Sequence, residues 1–109
     1  MIKYLLLFIF ATGHAHAVSV DLLIAILECE SSGKHDATGD SGKSYGIAQF
    51  QKATFDRFVK KVGARGYQYR NPIHQLKVMT WAIDNGYGEH WTCYSKLAGK
   101  NAPVMDSRY

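Results

Sequence analysis

The chain has 109 residues, enough for one small domain with a modest core and too few for a second domain. Its formal net charge is +4, and the basic side chains are scattered apart from Arg57, Lys60 and Lys61 on one predicted helix. This excess of positive charge is small and dispersed over the sequence, so it does not indicate nucleic-acid binding, and we do not expect a nucleic acid as partner.

The N-terminus has the pattern of a secretory signal peptide. Lys3 supplies a positive charge, Tyr4 to Ala11 form an apolar run of about eight residues, and Ala15-His16-Ala17 provides an Ala-x-Ala cleavage site. The alternative is a short membrane anchor, but a span needs about 20 apolar residues and Gly13-His14 interrupts the run. We therefore expect cleavage after Ala17, a mature domain of residues 18–109 without stable membrane insertion, and a secreted or periplasmic location.

The first predicted helix carries the candidate catalytic acid. Ser19 or Asp21 can cap its start, and Gly33 is placed to end it after about Ser31. One apolar face continues into Glu30 with the spacing i, i+3, i+4 and i+7: Leu23, Ile26, Leu27 and Glu30.

Glu28 lies about 200° away from that face, so Glu30 is the better candidate. Desolvation on an apolar helix face raises the pKa of a carboxyl group, which keeps the group protonated for acid catalysis. The alternative is a solvated glutamate at a helix end, which is the usual role of this residue type.

A loop and a second helix follow. The segment from Lys34 to Ser44 is rich in glycine, serine and aspartate, which is typical of a loop, and a short hairpin between Ser41 and Phe50 is the most strand structure that we expect. The next helix begins near Thr54 and stops at Gly63, with four apolar residues at helical spacing: Phe55, Phe58, Val59 and Val62.

Two more helices complete the predicted fold. The third begins at Asn71-Pro72, an N-cap followed by proline at the first helical position, and stops at Asn85-Gly86. Its apolar face is predicted to be Ile73, Leu76, Thr80 and Ile83, with Met79 beside them. The last helix runs from about Glu89 to Ala98, ends at Gly99, and presents Trp91, Tyr94 and Leu97, while the tail from Lys100 has no pattern. The predicted fold class is therefore all-α with at most one short β-hairpin.

The chain has two cysteines, Cys29 and Cys93. In an oxidising compartment an even pair in a small domain usually forms a disulfide, which here would join the first helix to the last. The alternatives are two free buried thiols or a thiol nucleophile.

Three motifs occur in order along the chain: Glu30-Ser31-Ser32-Gly33, then Tyr45-Gly46-Ile47-Ala48-Gln49-Phe50, then Ala82-Ile83-Asp84-Asn85-Gly86. With these motifs the chain resembles, over most of its mature length, the soluble lytic transglycosylase (SLT) domain of the lysozyme-like superfamily. The resemblance implies a small lysozyme-like domain. It also implies cleavage of the β-1,4 bond between N-acetylmuramic acid and N-acetylglucosamine in peptidoglycan, with formation of 1,6-anhydro ends and without a cofactor.

Residue by residue, the resemblance makes Glu30 the catalytic acid and Ser31 its orienting neighbour. Gly46 and Gln49 match the residues that shape the saccharide groove. The sequence departs from the family pattern in both later motifs: Ile47 and Ala48 replace leucine and methionine, Ile83 replaces a tyrosine, and Asp84 replaces an asparagine. Three aromatic residues are candidates to substitute for the missing tyrosine: Tyr45, Tyr87 and Trp91.

The remaining polar and aromatic residues leave several alternatives open. We expect Tyr45 and Tyr87 to line the groove with Ser31 and Asp84, and Trp81 and Trp91 to belong to the core. The candidates for a second catalytic carboxylate beside Glu30 are Asp36, Asp40 and Asp84, and spacing does not single out one of them. The histidines of the mature chain lack close ligand spacing, so we expect no metal site: His35, His74 and His90.

Two other functions fit the same pattern. One is a muramidase on the same scaffold, in which water attacks and a second carboxylate is needed. The other is a non-catalytic module that binds the cell wall. We expect a monomer, and leave open whether the domain is one component of a secretion or phage apparatus.

Overall fold

The structure is a computed structural model that describes residues 17–101. The predicted leader up to residue 16 and the predicted tail from residue 102 lie outside the described residues. The helices are α1 (Val20–Ser31), α2 (Lys52–Val62), α3 (Pro72–Asp84) and α4 (Thr92–Asn101). A mostly helical fold with a small sheet confirms the predicted fold class. Within the described range, no helix has the length and apolar character needed to cross a membrane.

The sheet lies between α1 and α2 in the sequence. Its three antiparallel strands, in the order β1-β2-β3, are very short: Thr38–Gly39, Ser44–Tyr45 and Phe50–Gln51. Tyr45 is paired with Thr38 on one side and with Phe50 on the other. The predicted hairpin is therefore present, and it has gained a third strand that leads directly into α2.

Local sequence signals set most helix ends. The side chain of Ser19 accepts a hydrogen bond from the backbone of Leu22 at 3.1 Å, and Asn71 caps α3 in the same way, as predicted. Helix α2 begins at Lys52, two residues before the predicted start, because strand β3 runs into it without a loop. Helix α4 begins at Thr92 because Gly88–His90 form a separate 3₁₀ turn, and it continues through Gly99.

The predicted buried face of α3 is wrong by about one residue. Its buried side chains are Gln75, Val78, Met79, Ala82 and Ile83, whereas Ile73 is 58% exposed. A glutamine in the centre of the buried face breaks the apolar pattern, while Ile73 gives the solvent side an apolar appearance. The periodicity therefore placed Met79 and Ile83 correctly but centred the buried face about one residue away from its true position.

One core joins the sheet to the helices. The ring of Phe50 makes edge-to-face contacts with Phe55, Phe58 and Trp91, at centroid distances of 5.3, 6.3 and 5.3 Å. Such contacts are favourable for aromatic quadrupoles beyond the area that they bury. The predicted core role of Trp91 is confirmed, since it is only 4% exposed.

The predicted disulfide is also present. Cys29 on α1 and Cys93 on α4 are bonded, with their Cα atoms 6.0 Å apart, and the described part of the chain holds no free cysteine. The bond fastens the C-terminal half of α1 to the first turn of α4.

Candidate active site

Glu30 lies at the C-terminal end of α1 and is half-buried, whereas Glu28 is exposed. The helical spacing therefore predicted correctly which of the two carboxyl groups is the more buried. The first turn of α4 faces Glu30: the backbone N–H of Cys93 donates to Glu30 Oε2 at 3.4 Å. A long, single hydrogen bond leaves most of the acceptor capacity of the carboxyl group unused.

The surroundings of Glu30 favour its protonated form. Burial is the largest cause and raises the pKa of Glu30 above its usual value. The Cys93 N–H acts in the opposite direction, and the negative charge of Asp40 raises the pKa further. A carboxyl group in such a setting holds its proton to a higher pH than a solvated glutamate and can donate it to a leaving oxygen.

Gly46 and Gln49 lie in the turn between β2 and β3, which Ser31, the residue after the acid, contacts through the carbonyl oxygen of Ile47. Gln49 has a positive φ of 52°, and its side-chain Nε2 donates to the carbonyl oxygens of Ala37 and Gly46, both at 2.9 Å. A Cβ atom at Gly39 would lie 2.4 Å from Gln49 Oε1. The amide of Gln49 therefore holds the two ends of the hairpin together, and its nitrogen is committed to the protein backbone.

Behind the sheet, Gln75 is buried and organises the same segment from α3. Its Nε2 donates to the carbonyl oxygens of Tyr45 and Tyr69 at 3.0 and 2.8 Å, and its Oε1 accepts from the N–H of Ala48 at 3.0 Å. Gly46 has a φ of 92°, and a Cβ atom there would lie 2.5 Å from the Gln75 amide. Glycine is therefore required at this position both by backbone conformation and by space.

Ser31 connects the acid to the sheet. Its side chain is buried, and its Oγ lies 2.8 Å from the carbonyl oxygen of Ile47 and 3.2 Å from that of Leu27. The hydroxyl proton is used inside the protein, so the position of Ser31 fits an orienting neighbour of Glu30. Both described partners of the hydroxyl are backbone carbonyl oxygens, so its proton is not available to a ligand.

Asp40 and Ser44 form a second polar pair on the hairpin. Ser44 is 2% exposed, and its Oγ donates to Asp40 Oδ2 at 2.6 Å. Asp40 and Ser41 both have positive φ values, 51° and 59°, which are costly for residues other than glycine. Since Asp40 also acts electrostatically on Glu30, the structure separates Asp40 from the other candidate second carboxylates, which spacing alone did not do.

The other predicted site residues divide into two groups. The ring of Tyr45 lies 5.8 Å from the ring of Tyr69 and 4.5 Å below the guanidinium of Arg70, so it belongs to the sheet side of the site. Tyr87 instead packs on Phe58 and Trp81, at 5.2 and 5.8 Å, and no described contact joins it to the acid.

The described contacts of Asp84 and Ile83 in the third motif do not include the acid. Asp84 Oδ1 accepts from the backbone nitrogen of Val18 at 2.7 Å, and Ile83 is 7% exposed within the core. Trp91 donates from its indole nitrogen to the carbonyl of Ala48 at 2.8 Å and so supports the sheet from the core. Trp81 is only half-buried and borders a separate apolar groove of about 500 Å³, so its predicted core role is met in part.

Sequence reasoning missed two contributors to the site. Gln75 and Arg70 were not singled out, although each contacts the motif segment directly, as Tyr69 also does. For Gln75 a signal existed: it has helical i, i+3, i+4 and i+7 spacing with Val78, Met79 and Ala82. A polar residue that continues a buried apolar face needs internal hydrogen-bond partners. In residues 17–101 no cluster of three or more His, Cys, Asp or Glu side chains is placed to hold a metal ion.

Comparison with known proteins adds one finding. The family model described as the transglycosylase SLT domain matches residues 8–98 of the chain. Neither a search of curated proteins nor a search of solved structures gave a match.

Proposed function

This chain belongs to the transglycosylase SLT domain family, and from that premise we propose that it cuts peptidoglycan by lytic transglycosylation. The bond cleaved is the β-1,4 link between N-acetylmuramic acid and N-acetylglucosamine. The observation that carries the proposal is the half-buried Glu30, whose pKa is raised chiefly by burial, at the junction of α1 and α4 beside the hairpin.

Glu30 would serve twice in one catalytic cycle. As an acid it protonates the glycosidic oxygen that leaves, and the resulting carboxylate then takes the proton from the muramoyl C6 hydroxyl while that oxygen bonds to C1. The product is a 1,6-anhydro ring, and Glu30 ends the cycle protonated. One carboxyl group is sufficient for this route because no water has to be activated.

The hairpin would form one wall of the saccharide groove. Tyr45, Gly46 and Gln49 are the proposed wall residues, and their backbone is fixed by the side-chain amides of Gln49 and Gln75. Rigid placement of the wall favours catalysis because the sugar must be oriented to within a fraction of an ångström of the acid. Asp84 and Tyr87 are proposed to contact the glycan where it extends beyond this wall.

A second candidate reaction is hydrolysis, and Asp40 is the observation that favours it. Inverting glycosidases use a second carboxylate as the base that activates water. Asp40 accepts a hydrogen bond from Ser44 at 2.6 Å and raises the pKa of Glu30 through its negative charge, so it is the candidate second carboxylate with a described link to the acid. In that case the products would carry reducing ends.

Product analysis separates the two reactions. We expect mass spectrometry of digested peptidoglycan to show anhydro-muropeptides, and their absence in an active digest would exclude transglycosylation. Asp40→Asn should keep at least about a tenth of the parent rate if Glu30 acts alone. It should lose about two orders of magnitude if Asp40 is a required base.

A matched pair of variants tests the acid. Glu30→Gln should abolish wall lysis, whereas Glu28→Gln, on the exposed side of the same helix, should leave it unchanged. A non-catalytic wall-binding module would instead show the same wall binding and the same background lysis in both variants. Circular dichroism of both proteins would verify that each is folded.

We also propose that the chain is exported and cleaved after Ala17. The residue pattern of the N-terminus supports this, and the Cys29–Cys93 disulfide fits an oxidising compartment. Mass spectrometry of the N-terminal peptide from secreted protein tests it, with Val18 as the expected first residue. Recovery of the intact leader on the secreted protein would contradict it.

A further inference from the structure

The start of the folded domain is bonded to the end of α3. The backbone nitrogen of Val18 donates to Asp84 Oδ1 at 2.7 Å, across 66 residues of sequence. The side chain of Val18 packs against the core, whereas Ala17 is exposed. The nitrogen that faces Asp84 is therefore held in place by its own residue, and the residue before it contributes no described packing.

Asp84 is in an unfavourable position without a cationic partner. It is the last residue of α3, where the helix dipole is negative, and the last turn of α3 contains no basic residue. Among the side chains of residues 17–98, no Lys, Arg or His nitrogen lies within 4.0 Å of its carboxylate, since the ion pair found there joins Lys52 and Asp56. In the uncut chain its described partner is a neutral amide.

We propose that removal of the leader after Ala17 converts this contact into an ion pair between the new α-ammonium group of Val18 and the carboxylate of Asp84. The proposal rests on the proposed cleavage site and is independent of the reaction catalysed. Hydrolysis of the Ala17–Val18 peptide bond by water leaves a carboxylate on Ala17 and an amine on Val18, which takes up a proton at neutral pH. The new positive charge adds Coulomb attraction to a hydrogen bond in which only the carboxylate was charged before.

The ion pair would protect the helix that carries the acid. Val18 stands immediately before Ser19, the N-cap of α1. A positive charge at a helix N-terminus opposes the helix dipole, and the carboxylate of Asp84 compensates it. An asparagine at position 84 could accept from an amide N–H equally well, but it could not neutralise an ammonium group. Leader removal would thus strengthen the junction between α1 and α3.

The other ionisable groups nearby do not compete for the Val18 nitrogen. No described hydrogen bond or ion pair joins it to any charged residue other than Asp84. The remaining charged or titratable residues on α1, in the 3₁₀ turn after α3 and in residues 92–98 of α4 are Asp21, Glu28, Glu30, Glu89, His90, Tyr94 and Lys96, while Cys29 and Cys93 are bonded to each other.

A thermodynamic cycle tests the ion pair. The full chain is secreted with its own leader, either unchanged or with one alanine inserted between Ala17 and Val18, so that cleavage leaves a one-residue extension. Each of these two chains is made in the parent form, with Asp84, and as the Asp84→Asn variant. N-terminal peptide masses establish the four termini, and urea unfolding at pH 7 gives the four stabilities. We expect the extension to lower the folding equilibrium constant about tenfold in the parent background, and less than about twofold in the Asp84→Asn background.

A direct titration distinguishes charge from packing. The Cα signal of Val18, labelled with ¹³C, should report an α-amino pKa above the ordinary value of about 7.7 in the parent and a value near it in Asp84→Asn. Because the folded pKa is raised, the stabilisation is complete below about pH 7.7 and is lost as pH rises through the folded value. Equal effects of the extension in both backgrounds, an unshifted α-amino pKa, or an N-terminus other than Val18 would each overturn the proposal.

Discussion

Removing the disulfide should cost this domain a large share of its stability. The perturbation is the double variant Cys29→Ser/Cys93→Ala, where serine suits the exposed end of the bond and alanine suits the buried end. The bond joins residues 64 apart in sequence. Loop-closure entropy for a ring of that length corresponds to about 4 kcal/mol at 25 °C.

A loss of this size is large for a small domain. Single domains are stable by only about 5–15 kcal/mol in total. At about 4–8 °C per kcal/mol for a domain of this size, the midpoint of thermal unfolding should fall by roughly 15–30 °C. The first turn of α4 would also be released from Glu30, because the Cys93 N–H that reaches the acid belongs to the residue that the bond fastens.

Urea unfolding with and without dithiothreitol measures the effect and contains its own control. The parent should lose about 4 kcal/mol when it is reduced, whereas the double variant should be equally unstable in both conditions. Wall lysis well below the midpoint of thermal unfolding then reports whether the tether also positions Glu30. A loss below about 1 kcal/mol on reduction would refute the loop-closure reasoning, and would indicate that the reduced, unfolded chain stays compact.

Three further predictions concern the acid and its support. Because the folded pKa of Glu30 is raised, the contribution of its carboxyl group to the free energy of unfolding is favourable below the unfolded pKa of about 4.3 and is lost as pH rises. Glu30→Gln should therefore be more stable than the parent at pH 7. Urea titrations should show this difference shrinking towards pH 4. Gly46→Ala should destabilise by about 1–3 kcal/mol more than Gly63→Ala, since both have positive φ but only the former meets a neighbour. Gln75→Leu leaves three backbone groups without a partner and should cost at least about 3 kcal/mol by chemical denaturation, with loss of wall lysis even where the protein is folded.

Local rules predicted the parts of this molecule that depend on neighbouring residues in the sequence. The Ser19 and Asn71 caps and the buried side of α1 at Glu30 follow from spacing and side-chain chemistry over a few residues. The Cys29–Cys93 bond was predicted because the chain has an even number of cysteines and its N-terminus predicts export to an oxidising compartment. Each of these signals depends on short-range geometry or on simple counting.

Features that depend on long-range contacts could not be predicted in the same way. The buried face of α3 is defined by what Gln75 bonds to, and its three backbone partners lie on other segments. Asp40 could be distinguished from Asp36 only through its proximity to Glu30 and its bond to Ser44. Asp84 stands where the family has an asparagine, and its described partner lies 66 residues earlier in the chain.

The backbone of Ala48 is held from two directions at once, and this has a consequence for hydrogen exchange. Its N–H donates to Gln75 on α3 at 3.0 Å, its carbonyl accepts from the indole of Trp91 at 2.8 Å, and its side chain is fully buried. Ala48 lies in a turn, outside every helix and strand. Turn amides usually exchange through small local openings, but this one can open only if α3 or the segment before α4 moves away. We expect the Ala48 amide to exchange as slowly as the slowest helical amides, so that the segment beside the acid opens only when the whole domain unfolds.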